Sequence, residues 1–147
     1  MKNGCLPGIK TVEYISSESL IVETPPVLRE GSIVTVYGDF REILIVGLGA
    51  CSVTSEIVSG QAVYTTKLTI VIRDEKEETR TLLEQLVSYP NCFRIRDVYK
   101  EAYLIGTGQR PHPTIISTYS NEDTPTGKRG YVIEITYVNT FSILQLS

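Results

Sequence analysis

The chain has 147 residues, of which 41% are hydrophobic and 21% charged, with a net charge of −3. A chain of this length buries roughly 70% of its unfolded surface in one core, and the composition is far from the low-hydrophobicity, high-charge signature of disorder, so a single soluble β-rich domain is expected. Scattered Lys and Arg argue against a general affinity for nucleic-acid phosphates, and the longest apolar run, Ile43 to Ala50, falls well short of the roughly 20 residues that span a bilayer.

Met1 to Cys5 carries one charge before Pro7 and Gly8, which predicts no secretory leader. Residues 1–29 read as an extended N-terminal arm or edge. Within it, Ile9 to Ile15 is β-branched and aromatic with imperfect alternation, and Lys10 and Glu13 mark it as an exposed edge strand. Ser16 to Ser19 makes a polar turn, and Leu20 to Glu23 a short strand ended by Pro25-Pro26.

Ile33 to Tyr37 and Arg41 to Val46, separated by Gly38-Asp39, predict a hairpin. Cys51 to Val58 follows as a strand, and Ser59-Gly60 turns the chain into the longest strand, Ala62 to Ile72. There Tyr64, Thr66, Leu68, Ile70 and Ile72 share one face and Val63, Thr65, Lys67, Thr69 and Val71 the other. A helix is predicted from Glu75 to Ser88, with Asp74 as N-cap and Glu77 as its capping-box partner. Thr79, Leu82, Leu83, Leu86 and Val87 form its apolar face, and Tyr89-Pro90-Asn91 stops it.

Cys92 to Arg96 and Ala102 to Ile105 predict a second hairpin, joined near Asp97 to Glu101. Gln109 to Arg129, with Pro111, Pro113 and Pro125, reads as a strand fragment around Ile115-Ile116 followed by a mobile loop. Tyr131 to Val138 alternates as an amphipathic strand, and Phe141 to Leu146 supplies a last one. The fold class is mainly β, a β-sandwich or partly open barrel, with one flanking α-helix.

The chemistry-bearing residues do not assemble into a site in the sequence. Cys5, Cys51 and Cys92 are odd in number and lack CxxC spacing, so they read as reduced or buried thiols rather than disulfides or zinc ligands. Gly47-Leu48-Gly49 after an apolar strand resembles a dinucleotide-binding turn, but the β-branched segment that follows is not the helix such a turn needs. His112 reads as a surface-loop histidine. Asp39 with Glu42, and Glu122 with Asp123, read as solvated pairs whose pKa burial does not tune. Tyr64, Tyr131 and Tyr137 read as sheet packing, and Arg94, Arg96 and Lys100 as a small basic ladder. No catalytic, cofactor-binding or metal-binding residue is assigned, no cofactor is expected, and the protein is expected not to be an enzyme.

The order of elements from Tyr64 onward carries a resemblance. A long amphipathic strand is followed by a helix of the form E-x-x-x-L-L-x-x-L, a hairpin ending in Tyr103-Leu104-Ile105-Gly106, a polar loop, and Gly130 to Ile135. Over about the last 85 residues this pattern resembles the tail-tube and head-to-tail joining proteins of tailed bacteriophages. The resemblance implies a virion structural protein, assembled in the host cytoplasm. Its subunits would form a ring by continuing sheets between neighbours, with arms and loops reaching adjacent virion proteins. It implies no membrane, and nucleic-acid contact at most indirectly through a ring lumen. The alternative of a different class is a monomeric β-sandwich module that binds a glycan or peptide through loop tyrosines such as Tyr119.

Overall fold

The structure is a computed structural model that describes residues 4–6, 8–23, 32–73, 77–121, 129–141 and 143–146. Its elements are β1 (Gly4–Cys5), β2 (Ile9–Ser16), β3 (Ile21–Glu23), β4 (Ile33–Tyr37), β5 (Arg41–Ile43), β6 (Ala50–Val58) and β7 (Gln61–Arg73). These are followed by α1 (Glu77–Ser88), β8 (Asn91–Asp97), β9 (Ala102–Ile105), β10 (Thr114–Asn121), β11 (Arg129–Asn139) and β12 (Leu144–Leu146). Two sheets result, one of five strands in the order β1-β6-β7-β11-β10 and one of seven in the order β3-β4-β12-β9-β8-β2-β5. The fold is mainly β with a single helix among the described residues, as the sequence predicts.

The core is assembled by period-2 alternation. Leu68, Ile70 and Ile72 of β7 and Ile133, Ile135 and Tyr137 of β11 point inward, against Val12, Phe93, Ile95 and Leu104 of the other sheet. The outward face of the long strands carries polar pairs such as Lys67 Nζ to Glu134 Oε1 at 3.2 Å. β6 and β7 meet in a two-residue turn, Ser59-Gly60, in which both residues have positive φ (52° and 81°), the backbone that matches the twist of a tight hairpin.

The two sheets are joined along one side. After β5, Val46 N–H donates to Val71 O at 2.7 Å, Gly47 bends the chain at φ +72°, and β6 continues down the same edge of β7 from Ala50↔Thr69. Residues 41–58 therefore cross from one sheet to the other, which gives the assembly its partly closed, barrel-like side. The glycines at 47 and 49 serve this bend, and the segment after them is a strand, not a phosphate-binding helix.

Four expectations are corrected. β2 is not an exposed edge: it pairs with β8 on one side and β5 on the other. Its alternation is imperfect because both of its faces are covered, Val12 within the core and Ile15 beneath Gly38, which approaches too closely to leave room for a Cβ. Ile33–Tyr37 and Arg41–Ile43 are strands but not a hairpin. β4 pairs with β3 and, in parallel, with β12, while β5 lies at the far end of the same sheet. Gly38 to Phe40 carries the chain across β2 between them.

The predicted loop at 109–129 contains the eight-residue strand β10, paired with β11 from Thr114↔Thr136 to Asn121↔Arg129. Its prolines lie outside that strand, which is why they did not prevent it. Tyr119, expected in a loop, is on β10. The helix begins at Glu77 among the described residues. The predicted cap Asp74 and first residue Glu75 lie outside them, as do Pro25-Pro26, Glu122, Asp123 and Pro125.

Candidate functional site

The most concentrated side-chain chemistry lies where the turn after β2, the start of β8 and the segment after β9 converge. Cys92 is fully buried. Its Sγ accepts a hydrogen bond from Gly108 N–H at 3.2 Å and is 3.5 Å from Ser17 Oγ, which in turn is 3.4 Å from His112 Nδ1. His112 is half-buried, not the free surface histidine expected from its flanking prolines. Burial pushes the Cys92 thiol up from its usual 9.0, against the opposing hydrogen bonds of Ser17 and Gly108. The sulfur therefore keeps its proton near neutrality and is sealed from solvent, so the trio holds three segments together and offers no thiolate nucleophile.

The remaining residues singled out in the sequence are dispersed. Asp39 and Glu42 are exposed. Arg94 is held by Glu13 through two hydrogen bonds, at 3.0 and 2.7 Å, and lies 4.1 Å over the Phe40 ring. Arg96 shares the outward face of β8 with Arg94 and, like Lys100, is exposed. Tyr137 is fully buried and Tyr64 and Tyr131 partly so, in keeping with sheet packing. Cys51 and Cys92 are buried and are not joined in a disulfide. Among the described residues no group of three or more His, Cys, Asp and Glu gathers to hold a metal ion, and no helix is long and apolar enough to cross a membrane.

Two depressions adjoin α1. One, of about 940 Å³, lies between the helix and the end of β2, lined by Ser16, Ser19, Asp39, Arg41, Glu77, Glu78 and Gln85 among others. The second, about 570 Å³, is more apolar, with Leu44, Ile45, Val46, Ile72 and Leu82 and, at its margins, Arg41, Glu42, Arg73 and Glu78.

The sheet edges are the third feature. β3 and β5, which end the seven-stranded sheet, have three residues each, and β5 contains Arg41 and Glu42. β1 has two described residues. β10 differs: it is eight residues of T-I-I-S-T-Y-S-N, without a charge, proline or glycine, in unbroken register with β11. Its Thr114, Ile116, Ser117 and Thr118 are exposed, Ile116 at 61%. Among the described residues, its other edge has no strand partner.

The β6–β7 hairpin also outruns the body of the protein. β11 pairs with β7 only as far as Asn139↔Tyr64, leaving Glu56 to Val63 as a two-stranded ribbon. On its core-side face Cys51 and Val53 are 2% and 1% exposed, yet Ile57, four residues beyond Val53, is 78% exposed. The alternation continues where the opposite sheet has ended. The sequence signals a strand here, but the point at which the second sheet stops covering it is a tertiary property. No protein-family model matches the chain, and neither the curated proteins nor the solved structures yield a match.

Proposed function

We propose that the chain is a structural subunit that assembles with copies of itself by continuing its five-stranded sheet through the edge of β10. Monomeric sheet proteins guard their edges with short strands, charges, prolines or bulges. β3 and β5 are guarded in that way, whereas β10, about 26 Å of regular strand, carries none of these devices, although α1 packs against it. This long edge, without a strand partner among the described residues, is the observation that carries the reading. Strand addition at an open edge supplies main-chain hydrogen bonds along its whole length.

The setting we propose is the one that the element pattern resembles, a ring or tube in the virion of a tailed bacteriophage, at the tail or head-to-tail joining region. Other virion proteins would be its further partners. The same edge would also accept a peptide strand, which keeps a monomeric binding module as the competing reading. The experiment is to place a lysine at Ser117, which is exposed and shares the core-side face of β10 with Ile115. An inward-pointing charge of this kind is a natural edge guard. The expected result is an unchanged melting temperature with loss of the oligomer seen for the parent chain. An oligomer that persists in Ser117→Lys would exclude this edge.

A further inference from the structure

We propose that the strand added at the β10 edge is β10 of a second copy, running antiparallel to the first about a two-fold axis. This rests on the assembly reading above and names the partner strand and its direction. Although α1 packs against β10, Ile116 and Ser117, on opposite faces of the strand, are both exposed, so the helix leaves the strand accessible.

The choice of partner follows from the length and composition of the edge. Pairing that stops short leaves N–H and C=O groups of the edge unmatched, so the partner needs a free edge of similar length. Among the described residues the other sheet ends, β1, β3 and β5, have two, three and three residues. β6 is unpaired on its outer side from Thr54 to Val58, a shorter stretch that carries Glu56. Of the described edges, only β10 offers eight residues. It also accepts its own copy electrostatically. T-I-I-S-T-Y-S-N has no charge, so self-pairing sets no like charges opposite each other, whereas a charged partner strand would find no counter-charge on it.

Two-fold symmetry then fixes how the strands meet. An axis perpendicular to the sheet runs them antiparallel and keeps each residue on its own face, so the residue on the axis faces itself and its neighbours pair across it. Residues whose N–H and C=O point away from β11 alternate along β10, and this arrangement sets such residues opposite one another whichever alternate set they are. The centres that match nearly the whole strand are Ser117 and Thr118. The five-stranded sheet becomes continuous across two copies. An isologous contact closes at two, so a ring is assembled from such pairs.

The test uses three cysteine variants of the full chain, Ser117→Cys, Thr118→Cys and Thr114→Cys, each with Cys5→Ser so that the remaining native thiols are the buried Cys51 and Cys92. All three replace exposed side chains, and a parent-like melting temperature checks the fold. With a short bis-maleimide, the variant at the axis, Ser117→Cys or Thr118→Cys, is expected to give a cross-linked dimer on its own, since directly opposed residues lie about 5 Å apart. Thr114→Cys is expected to give none, because its own copy lies at least about 20 Å away along the paired strands. An oligomer by mass that links at neither central position, or links as readily at Thr114, would overturn the inference and leave assembly standing. A chain that is monomeric by mass and gives no cross-link would overturn both.

Discussion

Thr66 shows how a single side chain reports on the packing around it. Its hydroxyl is fully buried on the core face of β7 and has no hydrogen-bond partner. A buried hydroxyl left unsatisfied costs more than the methyl that would replace it. Thr66→Val is therefore expected to raise stability by about 1 kcal/mol, read as a higher urea midpoint with an unchanged slope. The Arg94–Glu13 pair makes the opposite case, because its two parallel hydrogen bonds and the stacking on Phe40 need a planar guanidinium. Both side chains keep about a fifth of their exposure (23% and 21%), so solvent screens the charge. Arg94→Lys should cost only about 1 kcal/mol, measured in the same way. Cys92 sets a pH dependence whose sign follows from its raised pKa. As pH climbs above the usual 9.0, the unfolded chain loses the thiol proton before the folded one, so unfolding gains. Stability should be level in this respect below about pH 9 and fall above it. Tyr137, raised by burial from 10.0, adds to the fall at higher pH. Cys92→Ala should flatten the slope of the urea midpoint between pH 9 and 10.

The helix and strands differ in how far their sequence could specify them. α1 was legible because the 3.6-residue repeat of Leu82, Leu83 and Leu86 is a local signal, and Leu86 is 2% exposed in the core. The degree of burial was not legible. Leu83 is half-buried and Val87 is 57% exposed, since β10 and the core take up only part of the predicted apolar face. Leu86→Ala should accordingly cost about 2–5 kcal/mol and Leu83→Ala about half of that, compared by thermal melting. Asn91, read as part of a helix stop, does more than end α1. Its Nδ2 donates to Gln85 O at 3.0 Å and Tyr89 O at 2.7 Å, satisfying carbonyls that the helix end leaves open. The long strands β7 and β11 were legible from period-2 alternation. β2 is not legible as an inner strand because covering both faces erases alternation, and β4 and β5 look like a hairpin in the sequence because they are adjacent there but not in the sheet. β10, the edge proposed for assembly, is only partly legible, as a fragment at Ile115-Ile116, because the prolines beside it obscure the full length of the strand.

At the scale of the whole molecule, the closed and open sides of the fold assign different tasks. The side where residues 41–58 pass between sheets leaves no long edge, and the short charged strands β3 and β5 finish the seven-stranded sheet. The five-stranded sheet keeps the long β10 edge, the surface proposed for a second copy, and throws out the β6–β7 ribbon. Assembly through that sheet is the central claim, and the mass of the full chain in solution tests it most directly. Sedimentation or light scattering over a range of concentrations should find a large oligomer, with rings or stacked particles in negative stain. A monomer at the highest concentration reached, with no particles in stain, would contradict it.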